Sequence, residues 1–73
     1  MKYYVIRCKT GDVFKKNGMF GGDSVTREYP VLSAAKRAAI AIAKYRHYRG
    51  EKFRVDNEAG ETLFETDGSD TDV

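Results

Sequence analysis

The sequence predicts an α+β domain: an antiparallel sheet of about five strands, in the order βββαββ, with one α-helix packed on one face. Short runs rich in β-formers flank one long stretch that is rich in alanine and free of Gly and Pro. Glycines and Pro30 punctuate the intervals. Period-two alternation argues for strands, and alanine is the best helix former.

Lys2 to Lys9 reads as the first strand, around Tyr3-Tyr4-Val5-Ile6. Alternation puts Tyr4, Ile6 and Cys8 on one face. Tyr3, Val5, Arg7 and Lys9 fall on the other, taken as an amphiphilic outer face. Thr10-Gly11-Asp12 is a turn, and Asp12 to Lys16 a short second strand. Asn17-Gly18 and Gly21-Gly22-Asp23 bracket Met19 and Phe20. That loop is either a lid over the core or an exposed contact. Ser24 to Tyr29 alternates again as a third strand, which Pro30 ends.

The helix is expected over Leu32 to Tyr48. Ser33 is its expected N-cap, give or take one residue, and Gly50 its C-terminal stop. Leu32, Ala35, Ala39, Ile40, Ile42 and Ala43 share one face, a seam of mostly small side chains suited to a sheet. Arg37, Ala41, Lys44 and Tyr48 share the opposite face. Glu51 to Asp56 is the fourth strand, with Phe53 and Val55 inward. Asn57 to Gly60 is a hairpin turn. Glu61 to Thr66 is the fifth strand, where Leu63 and Phe64 compete for the inward position.

With 73 residues there is room for one domain, placed at 1–66. The acidic tail 67–73 is too polar to bury and is expected to be disordered. The single cysteine excludes an internal disulfide and suits a reducing compartment. No apolar run approaches the ~20 residues of a membrane span. Location in the cytoplasm is expected. Net charge is +2, but the tail holds three aspartates and no cation. Leu32 to Arg49 holds Lys36, Arg37, Lys44, Arg46 and Arg49 and no acid. An element so charged points to an anionic partner.

Catalysis is not expected. His47, the only histidine, lies in the basic run Tyr45-Arg46-His47-Tyr48-Arg49, with no evident nucleophile or orienting acid. One Cys and one His do not make a zinc site without several carboxylates. The glycines match no phosphate-binding loop, so no cofactor is expected. Binding has more support. Arg37, Lys44 and Tyr48 combine cations with an aromatic, and could meet phosphates and bases or another protein's carboxylates. A second candidate is the outer sheet face, with Tyr3, Arg7, Lys52 and Arg54.

The segment Leu32-Ser33-Ala34-Ala35-Lys36-Arg37-Ala38-Ala39 adds a resemblance. Together with the Met1-Lys2 strand, Phe53-Arg54-Val55 after Gly50 and the Gly60 hairpin, it is similar to a family of small phage-encoded anti-CRISPR proteins. That family acts on the type I-F surveillance complex. The resemblance implies a five-stranded antiparallel sheet with one helix, binding to the complex's backbone subunits and occlusion of the target-DNA channel. It would place the protein in the cytoplasm of an infected host. Carried over by position, it implicates Lys36 and Arg37. The hairpin Asp12 to Tyr29 departs from that layout, and the acidic tail has no counterpart in it. The first expectation is therefore an inhibitor that binds a host protein or ribonucleoprotein. Lys36, Arg37, Lys44 and Tyr48 would be its contacts, with Arg7 and Arg54 secondary. The alternatives are a direct DNA- or RNA-binding module and a structural homodimer.

Overall fold

The computed structural model describes residues 1–48 and 50–66. The acidic tail and Arg49 lie outside the described residues. The elements are β1 (Tyr3–Arg7), α1 (Leu32–Ala43), a single 3₁₀ turn (Arg46–Tyr48), β2 (Phe53–Asn57) and β3 (Thr62–Glu65). The three strands form one antiparallel sheet in the order β1-β2-β3, with α1 against one face. The α+β class is as expected, and among the described residues the sheet has three strands, without the five expected. Among the described residues no helix is long and apolar enough to cross a membrane.

The expected second and third strands are present only as isolated antiparallel bridges. These are Tyr3 with Tyr29, Ile6 with Val13, Phe14 with Phe20 and Lys15 with Thr26. Gly11, Gly18, Gly21 and Gly22 all have φ between 75° and 83°. Turns built on such residues redirect the chain too often for a ladder to propagate. The segment still satisfies the free edge of β1. Phe14 N–H donates to Val5 O at 2.8 Å and Arg7 N–H to Asp12 O at 2.8 Å. Tyr3 and Tyr29 exchange a pair of bonds at 2.9 Å. An edge that would otherwise invite pairing is thereby covered.

The alanine seam of α1 works as expected. Ala35, Ala39, Ile42 and Ala43 are buried and pack on Val5, Phe53 and Val55. Small side chains let the helix axis approach the sheet closely, which narrows the seam. Ile40, expected within it, is 37% exposed instead. The N-cap also differs. Val31 holds it in an extended conformation with no side-chain hydrogen bond, and Ser33 lies inside the first turn.

The helix ends earlier than expected. Lys44 N–H donates to Ala41 O at 3.2 Å and Tyr45 N–H to Ile42 O at 3.0 Å. These tighter bonds close the last turn, and the chain then enters the 3₁₀ turn. Gly50, at φ 84°, turns the backbone toward β2 rather than stopping the helix.

The first strand corrects the facing. Tyr3, Val5 and Arg7 are on the helix side, opposite Asn57, Val55 and Phe53. Tyr4 and Ile6 are on the far side. Alternation separates the two sets but does not say which meets the helix. Both contain a β-branched residue, and both Val5 and Ile6 are buried. In β3 the register shifts between Val55 and Asp56, so Val55 faces Phe64 and Asp56 faces Thr62. This bulge sends Phe64 inward and leaves Leu63 42% exposed.

Two polar residues close the sheet ends. Asn57 is buried, but its side-chain Oδ1 accepts from the N–H groups of Ala59 and Glu61, both at 3.0 Å. Thr66 is also buried. Its hydroxyl accepts from Phe53 N–H at 2.9 Å and its own N–H donates to Phe53 O at 2.7 Å.

Candidate functional site

The outward face of α1 carries Arg37, Ile40, Ala41 and Lys44, all exposed. Their spacing of i, i+3, i+4 and i+7 aligns them in one stripe. Neither the Arg37 guanidinium nor the Lys44 ammonium has a hydrogen-bond or ion-pair partner among the described residues. Tyr45, just past the helix end, is 54% exposed at the edge of the stripe. The result is two free cations about an aliphatic centre. The helical period allows Ile40 at the edge of the packing seam, yet its position three after Arg37 and four before Lys44 also puts it on the stripe.

Tyr48 does not belong to this surface. The helix ends before it, and the 3₁₀ turn swings its ring into an aromatic cluster. The ring meets Phe53 edge-on, with centroids 5.5 Å apart, and Phe20 at 5.4 Å. Phe20 also stacks on Phe53 at 5.3 Å and touches Phe14 at 5.1 Å. The glycine-flanked loop is thus split: Phe20 is drawn into the cluster, while Met19 stays 60% exposed.

Arg7 is likewise turned away from an outer sheet face. It lies on the helix side, with its guanidinium 5.3 Å from the Tyr48 ring centroid. Glu51 grips it in a two-pronged bond: Nε donates at 2.7 Å and Nη2 at 2.8 Å. Side-chain exposures of 24% and 17% make this a partly buried pair. The hydrogen bonds from Arg7 hold the Glu51 carboxyl below its ordinary value, against the opposing effect of desolvation. The same bonds raise Arg7 further, so it stays charged.

The pair has a definite pH signature. In the unfolded chain Glu51 takes up its proton near the ordinary carboxylate value of 4.5, before the folded protein does. Its contribution is therefore present above that pH and lost as pH falls through the lower folded value. Glu51→Gln removes this contribution. The melting temperatures of wild type and variant should differ at pH 7 and converge in strong acid. Parallel melting curves from pH 7 to the acid limit would show that the pair has no such role.

Arg54 sits on the far side of the sheet, with its Nε 3.3 Å from Asp56. Arg7 and Arg54 therefore do not form one surface. Lys36 lies on the flank of the outer stripe, half-buried, with Nζ 5.5 Å above the Phe64 ring. His47 is exposed on the 3₁₀ turn. Cys8 is half-buried with Sγ 3.8 Å from Glu65, and burial, then the Glu65 charge, pushes its thiol up. A thiol held neutral is a poor nucleophile. Among the described residues no group of three or more His, Cys, Asp or Glu is placed to hold a metal ion.

Of the six residues expected as contacts of a partner, Lys36, Arg37, Lys44, Tyr48, Arg7 and Arg54, only Arg37 and Lys44 share an open surface. Comparison with known proteins adds no relative: no family model, curated protein or solved structure matches this chain.

Proposed function

We propose that the protein is a non-enzymatic binding protein that docks through the outer stripe of α1 onto an acidic surface of another protein. The observation that carries this reading is the pair of cations Arg37 and Lys44, whose side chains have no partner among the described residues, flanking exposed Ile40 on α1. An aliphatic centre with charged ends suits a protein surface, where the apolar part supplies burial and the charges supply register and encounter rate. Tyr48, the residue expected to stack on a base, packs instead against Phe20 and Phe53.

The resemblance at Leu32 to Ala39 gives the proposal its specific form. The partner would be a type I-F CRISPR surveillance complex, with the protein blocking target-DNA binding by occlusion. Arg37 supports that form by being open, and the half-buried Lys36 would contribute from the flank. The test is co-elution of the purified protein with a purified surveillance complex, followed by target-DNA binding. Co-elution with loss of DNA binding is expected. Arg37→Glu with Lys44→Glu should weaken the interaction at least about tenfold, or ~1.4 kcal/mol. Both side chains are exposed, so stability should change by no more than about 0.5 kcal/mol. Unchanged DNA binding at saturating protein would sink the specific form. A gel shift with free DNA, abolished by the double reversal, would replace a protein partner with a nucleic acid.

A further inference from the structure

The face of the sheet opposite α1 is not flat. An open concavity of about 400 Å³ lies where the β2–β3 hairpin and the segment after β1 flank the strand. Its floor is Tyr4, Ile6 and Val13, and its rim carries Glu28, Asp56 and Glu58. Glu28 and Glu58 are exposed, and they meet Lys2 from two sides. Glu28 Oε2 lies 3.4 Å from Lys2 Nζ, and Glu58 Oε1 accepts from the Lys2 backbone N–H at 2.6 Å. The second oxygen of each carboxylate has no partner among the described residues. Asp56, by contrast, is engaged by Arg54 and by the Thr62 hydroxyl.

This groove is the counterpart of the helix stripe. One surface has an aliphatic residue between two cations, and the other has an apolar floor beneath two carboxylates with free oxygens. The two lie on opposite faces of the same sheet-and-helix sandwich, so they cannot meet within one molecule. We infer that the groove receives the α1 stripe of a second copy of this chain, with Ile40 toward Tyr4, Ile6 and Val13, and Arg37 and Lys44 toward Glu28 and Glu58. The contact is head-to-tail. Each added copy leaves one stripe and one groove open, so association does not stop at a dimer unless the rotation closes a ring. Because it rests on the stripe being a docking surface, self-association competes with the partner proposed above.

Light scattering on the full chain tests this. At low salt the average mass should rise continuously with concentration above the single-chain 8.2 kDa. It should return to that value near 1 M salt, where the screening length is ~3 Å. Two neutralised variants locate the contact. Arg37→Gln with Lys44→Gln removes the cationic stripe, and Glu28→Gln with Glu58→Gln removes the acidic rim. Each variant alone should remain a single chain with the circular dichroism of the wild type. Mixed in equal amounts they should form pairs and nothing larger, since only one stripe and one groove remain competent. A wild type that stays a single chain at millimolar concentration and low salt overturns the inference. So does association that persists in either neutralised variant alone. The rim variant separates this inference from the proposed function: it should lose self-association and keep its affinity for a foreign partner.

Discussion

Phe53→Ala should lower the stability of the domain by about 3–5 kcal/mol. Phe53 is fully buried at the start of the central strand β2. Its ring meets Phe20 at 5.3 Å and Tyr48 at 5.5 Å, so it joins the glycine-flanked loop and the 3₁₀ turn to the sheet. Truncation leaves a cavity that three separate segments would have to collapse to fill. A chain of 73 residues holds only about 4–11 kcal/mol in total, at ~0.05–0.15 kcal/mol per residue. The loss therefore takes away about a quarter or more of the stability. Urea unfolding followed by far-ultraviolet circular dichroism measures it. The near-ultraviolet tyrosine signal should also weaken, because Tyr48 loses one of its two edge-on partners. A midpoint shift worth less than about 1 kcal/mol would mean that the aromatic cluster is not part of the core.

Ala39→Arg should abolish cooperative folding. Ala39 is wholly buried at the middle of the seam, where α1 meets Val5, Phe53 and Val55. A guanidinium there either stays buried without a partner, at several kcal/mol, or prises the helix off the sheet. Both outcomes approach or exceed the stability available. The control is Ala41→Arg, two residues on and exposed. It adds the same side chain to the same helix and should change stability by no more than about 0.5 kcal/mol. A sharp thermal transition for Ala39→Arg, near that of wild type, would overturn the packing described for α1.

The contrast between those two alanines shows how much of the fold and of the candidate site was legible in the sequence. Helical periodicity separates position 39 from position 41 without any coordinates, and it places Arg37 and Lys44 on one outward line. It does not say how wide the seam is. That depends on the distance between helix and sheet, which small side chains set, and so Ile40 was assigned inward. Tyr48 was misplaced for a related reason. Its register on an ideal helix is outward, but the helix stops at Ala43 and Tyr48 packs with Phe20 against Phe53 at the edge of the core. The pull on Tyr48 comes from rings distant in sequence, which local pattern does not report.

What the sequence by itself determined is the local chemistry. Alanine content placed the helix, alternation placed β1, β2 and β3, and the lack of acids from Leu32 to Arg49 made the outward helix face basic. These follow from each residue's own propensity and from period. Only the tertiary structure decided which face of β1 meets the helix, that residues 12–29 make bridges instead of strands, and that Arg7 is spent on Glu51 and Tyr48. It alone brought Glu28 and Glu58 to one rim above Tyr4, Ile6 and Val13. Those outcomes depend on contacts between residues far apart in the chain, whose energies exceed the weak preferences that separate one local arrangement from another.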